Sequence, residues 1–205
     1  NVLTIKQRVS FVRLPEDGFK PRAYHPASGG FSISRYDFAQ PITENLEVRW
    51  QPRFNLQKLD PTAARSRVRK PIVFYLDRGT PEPIRGALLD GANWWAKAFD
   101  DAGFIDGFRA ELAPLGMSMS DVRYNTITWT HRATRGWSYG GGLIDPRTGE
   151  IIKGFVNLGS QRVRQDLVIA ESLLAPYGKN ADPALMTQAK AMALARLRQL
   201  AAHEV

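Results

Sequence analysis

The chain has no cysteine among its 205 residues. That excludes disulfides, thiol nucleophiles and any zinc site built on thiolates, while leaving the compartment open. No apolar run approaches the roughly 18 residues that a membrane-spanning helix needs, so no membrane span is expected. No basic-then-apolar leader stands at the start, and no signal peptide is visible. Internal repeats, low-complexity tracts, a P-loop, a dinucleotide fingerprint and a G-x-S-x-G elbow are also missing. The chain starts at Asn1 and stops at His203-Glu204-Val205. A piece of a longer protein is the expectation.

What is present describes a globular chain, 43 % apolar and 23 % charged. The net charge is +8, from 28 basic and 20 acidic residues. The basic residues are scattered, with one cluster at Arg65, Arg67, Arg69 and Lys70, and they do not interleave with aromatics as in RNA-binding surfaces. A solvated basic surface is therefore expected, with no specific nucleic-acid partner.

Residues 1–60 carry turn signals and short alternating stretches, and Pro21, Pro26, Pro41 and Pro52 forbid long central strands. A strand is predicted over 3–14, with shorter ones at Phe31–Ser34 and Leu46–Trp50. His25, before Pro26, reads as a surface residue. The segment 61–70 reads as a linker. The apolar run 71–77 then predicts a strand buried on both faces.

Thr80 reads as the N-cap of one long helix with Pro81 in its first turn, ended by Gly103. Trp94 and Trp95 fall at helical spacing and are expected in the core. A second strand is predicted over 108–112, and the clearest one over 123–131. His131, near its end, reads as structural, and Met117 and Met119 as packing residues. Gly140-Gly141-Gly142-Leu143-Ile144 and 151–158 form a hairpin about the Asp145-Pro146 turn, whose geometry accounts for Asp145 without an ion. Helices are predicted over 162–174 and 183–202. The last bears Leu185, Met186, Ala189, Ala193, Leu197 and Leu200 at spacings of mostly three and four, and runs into His203-Glu204.

From residue 70 the order is strand, long helix, two strands, hairpin, two helices. It predicts an α/β (α+β) fold: a mixed, mostly parallel twisted sheet with a long helix and a C-terminal helix, preceded by a β-rich segment. The expected division is 1–60, 61–70 and 71–205.

His-Glu is the first half of H-E-x-x-H, a helical zinc signature. Four upstream stretches, Lys70–Leu76, Trp95–Phe104, Asp121–Tyr124 and Asp145–Ile151, resemble a large bacterial family of zinc-dependent metalloproteases. Its members are known through domains of unknown function and have metzincin-like catalytic domains. The resemblance covers about residues 45–205, and more loosely the β-rich segment before them. It implies a zincin-like N-terminal subdomain, cut within H-E-V-G-H-x-L-G-x-x-H. It further implies His203 as the first zinc ligand and Glu204 as the catalytic base. The other histidines and the methionine turn have no positions here.

In such enzymes zinc lowers the pKa of its water to about 7 and polarises the scissile carbonyl, and the glutamate takes the water's proton. The glycine-rich strand, Gly140, Gly141, Gly142 and Leu143, would be the edge along which a peptide or protein substrate lies antiparallel. Zinc is the implied cofactor of the parent enzyme, and export to the periplasm or exterior the implied location. The residues here, alone, are expected to hold no stable catalytic zinc, to be inactive, and to leave a half-domain face open to homodimerisation. The competing expectation is a non-catalytic module that binds a protein or peptide along its sheet edge.

Overall fold

The computed structural model describes residues 3–5, 7–16, 18–133, 137–174 and 183–205. They fall into two compact units, residues 1–53 with 143–152, and residues 54–142 with 153–205. The architecture is mixed α/β with a mostly parallel sheet.

In the first unit, β1 (Ile33–Tyr36) pairs antiparallel with β2 (Glu47–Trp50). The stretch 3–14 was expected as a strand and is not one where described. Its alternation is real, but Leu3, Ile5, Val9 and Phe11 are all exposed. Without a neighbouring chain to accept its ladder hydrogen bonds, an extended stretch does not become a strand. His25 is exposed, and its Nδ1 accepts from the Ala27 N–H at 3.1 Å, capping a short turn.

The turn 145–150 belongs to the same unit. Asp145 is fully buried, and Arg147 donates to its carboxylate through the backbone N–H, Nε and Nη2 at 2.9, 3.1 and 2.8 Å. Gly149 closes the turn at φ 77°, donating to the Asp145 carbonyl at 2.8 Å. The Arg147 hydrogen bonds hold the Asp145 carboxyl below its ordinary value of 3.8, against the opposing effect of burial. A depressed carboxyl stabilises the fold fully above the unfolded value and loses that contribution as pH falls through the folded one. Arg147→Gln should therefore lower the melting temperature at neutral pH. The gap to the parent should narrow as pH falls below 3.8 and through the folded value, read by thermal melts across pH.

The second unit holds most of a five-stranded sheet; residues 143–144 and 151–152 of its last two strands belong to the first unit. Its strands are β4 (Ile72–Leu76), β6 (Phe108–Leu112), β7 (Asn125–Thr130), β8 (Tyr139–Ile144) and β9 (Ile151–Gly159), in the order β6-β4-β7-β9-β8. The pairs β4–β6, β4–β7 and β7–β9 are parallel. A two-stranded parallel pair, β3 (Ser66–Arg67) with β5 (Phe104–Ile105), draws the segment 61–70 into this unit. Arg65 and Arg67 of the basic cluster pair with Asp100 and Asp106 at 2.7 and 3.7 Å.

β4 alternates: Ile72, Phe74 and Leu76 are buried, Val73 and Tyr75 only partly so. One face thus carries the core, where two buried faces were expected. The core joins those residues to Leu88, Ile127, Trp129, Val156, Leu158 and Leu197.

The expected single helix is two, α1 (Ile84–Ala92) and α2 (Trp94–Asp101). The break lies at Asn93. Its side chain donates to the Ala110 carbonyl at 2.9 Å and accepts from the Ala110 N–H at 2.8 Å. It thus completes the edge of β6 as a neighbouring strand would. Thr80 does not cap α1, which has Pro83 at its N-cap; among the described residues the buried Thr80 hydroxyl has no hydrogen-bond partner. Trp94 and Trp95 are 54 % and 42 % exposed, so neither is core. Gly103 does follow α2 in the left-handed region, at φ 86°.

Two further helices complete the unit, α3 (Gln161–Leu174) and α4 (Pro183–Glu204). Ala189, Ala193, Leu197 and Ala201 form the buried seam of α4, and a spacing of four keeps them on one face. α3 is fastened to α4 by a fully buried carboxylate, Asp166, which accepts from Arg162 at 3.3 Å and Arg196 at 2.7 Å. Among the described residues no helix is long and apolar enough to cross a membrane.

Candidate functional site

The last turn of α4 and the start of β8 come together. The main chain of Gly140 approaches the Glu204 carbonyl so closely that a Cβ at position 140 would collide with it. Glycine at 140 is therefore what lets the helix end sit against the strand. Gly141 is also constrained, since a Cβ there would lie 2.8 Å from the ring of Phe155 on β9.

β8 is the outermost strand of the sheet. Gly140 and Gly141 are exposed, Gly142 is half-buried and Leu143 is 40 % exposed. A strand at an edge offers one row of unpaired N–H and C=O groups. Gly140 and Gly141 carry no side chains, so their main chain is open to solvent.

The helix end is held from a second direction. The indole Nε1 of Trp95 donates to the Ala202 carbonyl at 2.8 Å. The last carbonyls of a helix have no partner within it, so this bond satisfies one of them. His203 is exposed and Glu204 half-buried. His203 lies two residues past the buried Ala201, which turns it to the side of α4 away from the core seam. Across β8, the Tyr139 hydroxyl lies 3.3 Å from Asn157 Nδ2, and the Arg132 guanidinium stands 6.0 Å from the Tyr139 ring.

The sequence-predicted residues therefore divide. His203, Glu204 and Gly140 fall together at one place, with Gly141 and Gly142 continuing the strand. His131 is elsewhere, with Nδ1 2.9 Å from the Ser160 hydroxyl and its ring edge-on to Trp129. Asp145 is spent on its turn. Trp95 is the residue that sequence reasoning misplaced: its helical spacing pointed to the core, whereas it caps α4. Its only sequence signal was a polar N–H on a large ring, which needs an acceptor when partly covered.

His203 offers one imidazole, and among the described residues no three His, Cys, Asp or Glu side chains gather as a metal-holding group.

Residues 1–59 match a family model described as a domain of unknown function, DUF5117. No curated protein and no solved structure matches the chain.

Proposed function

We propose that the chain is part of a zinc-dependent metalloendopeptidase, with a zincin-like sheet and helix arrangement in its second unit. In this reading His203 supplies one metal-ligating imidazole, and the Glu204 carboxylate is the general base that takes a proton from water. The open edge of β8 holds the peptide substrate by main-chain hydrogen bonds. The remaining ligands would come from residues following Val205, so the activity belongs to the longer protein, with export from the bacterial cell as its setting. Metal bound there would supply Lewis-acid polarisation of the scissile carbonyl.

The observation that carries this reading is the seating of the Glu204 main chain against Gly140. The two features drawn from the sequence for different reasons, a His-Glu helix end and a glycine-rich edge strand, are neighbours in space. A peptide paired to the edge would run beside the helix end that bears the base.

The test is to express the protein through the residues after Val205 and measure metal content and peptide cleavage. About one zinc per chain is expected, with chelator-sensitive hydrolysis that Glu204→Ala removes. A protein without bound metal, or a Glu204→Ala variant as active as its parent, would end the proposal. The exposed glycines of the edge also suit a non-catalytic peptide-binding module. That reading gains if extended peptides bind to β8 while Glu204→Ala changes nothing and no metal is retained.

A further inference from the structure

Helix ends fray, because their final carbonyls have no partner within the helix. The end of α4 is tied down on both sides of its His-Glu pair. On the near side, the Ala202 carbonyl accepts the Trp95 indole N–H at 2.8 Å. On the far side, the Glu204 carbonyl rests against the Gly140 main chain. Between the two, the Val205 N–H donates to the Ala201 carbonyl at 3.2 Å and keeps the last turn closed.

Trp95 reaches Ala202 because the helix before it breaks. α1 ends at Ala92 and α2 begins at Trp94. Asn93, between them, is locked to the main chain of Ala110 on β6 by two hydrogen bonds, and its amide also donates to the Leu89 carbonyl at 3.0 Å. Farther along α2, the Phe99 ring stacks on Phe108 of β6, with 5.7 Å between centroids. α2 is thus anchored to the sheet at two points, and Trp95 stands on it between them. The preceding turn of α4 is gripped as well, since Gly91 lets α1 press on the main chain of Arg198.

Burial alone does not account for the indole bond. Trp95 is 42 % exposed, so water is within reach as an alternative acceptor. The bond also does not depend on α4 stopping here. A carbonyl oxygen has two lone pairs, so Ala202 can accept the indole and a further helical N–H together. Its effect falls on the next residue. The peptide plane that carries the Ala202 carbonyl also carries the His203 N–H. Fixing that plane sets the direction in which the His203 side chain leaves the helix, with Glu204 one residue on.

We infer that Trp95 is a positioning residue: through the Ala202 carbonyl it orients His203 and holds Glu204 in place against β8. The brace rests on the hydrogen bond, and its catalytic consequence rests on the metallopeptidase reading. Trp95→Phe keeps a ring and removes the N–H. In the 205-residue chain it should speed amide exchange at His203, Glu204 and Val205 about fivefold. Trp94→Phe, the same change one residue earlier on a ring 54 % exposed, should leave that exchange at the parent's rate. In the protein extended past Val205, with fluorescein-labelled casein as the probe, Trp95→Phe should lower kcat about tenfold while KM and zinc content stay as in the parent. Trp94→Phe should leave kcat unchanged. Exchange in Trp95→Phe equal to the parent's would overturn the brace. Equal losses in the two variants would overturn it too, showing only a loosened α2. An unchanged kcat in Trp95→Phe, in a protein that holds zinc and cleaves casein, would overturn the positioning role and leave the metallopeptidase reading standing. An extended parent without zinc or cleavage would end that reading and the positioning role together.

Discussion

Gly91→Ala should destabilise the protein by about 3 kcal/mol, although alanine is the better helix former. Gly91 lies on α1 where that helix crosses α4. A Cβ there would lie 2.6 Å from both the Cα and the carbonyl carbon of Arg198, and nearer still to its oxygen. These are backbone atoms in the middle of a packed helix and cannot swing aside. The two helices would have to separate along a seam that buries Leu88, Ala92, Leu197 and Ala201, losing contacts that close packing supplies. Propensity alone predicts the opposite sign, a gain of about 1 kcal/mol. For a chain of this size the expected loss corresponds to about 8 °C in melting temperature. A melting temperature equal to or above the parent's would show that α1 and α4 are not in this contact.

Gly140→Ala should act more locally. The added methyl group meets the Glu204 carbonyl, again a backbone atom, so either the first half of β8 lifts or the last turn of α4 frays. A local cost of about 2 kcal/mol should raise amide exchange at Gly141 and Gly142 about 30-fold. Gly141→Ala is the matched comparison. Its methyl group meets the far end of the Phe155 ring, which is 37 % exposed and can rotate away, so its exchange should change much less. If both variants exchange like the parent, the edge strand does not rest on the helix end. In the extended protein, Gly140→Ala should also lower peptide cleavage while leaving metal content intact, because it moves the edge strand relative to Glu204.

Several elements were legible in sequence because local chemistry alone specifies them. β7 is rich in β-branched and aromatic residues, the 140–158 hairpin has a turn with Pro and Gly, and α4 repeats small and apolar residues at helical spacing. Other features depend on partners far along the chain. Nothing local distinguishes Asn93 as a break, because its reason is Ala110, seventeen residues on. The alternation of 3–14 specifies which side chains share a face, but no strand arises without a neighbour to pair with. Trp94 and Trp95 show the same limit for helices: periodicity says which residues align, and only packing says whether anything covers them.

The candidate site divides along the same line. His203, Glu204 and the run of glycines were visible as residue types, since a His-Glu pair closing a helix and a strand without side chains are one-dimensional patterns. Their meeting was not, because the approach of Gly140 to Glu204 spans more than sixty residues of chain and is set by how α4 lies on the sheet. The sequence by itself determined the elements and the chemical groups they carry. Only the tertiary structure decided which groups face one another, because that follows from packing between segments remote in the chain.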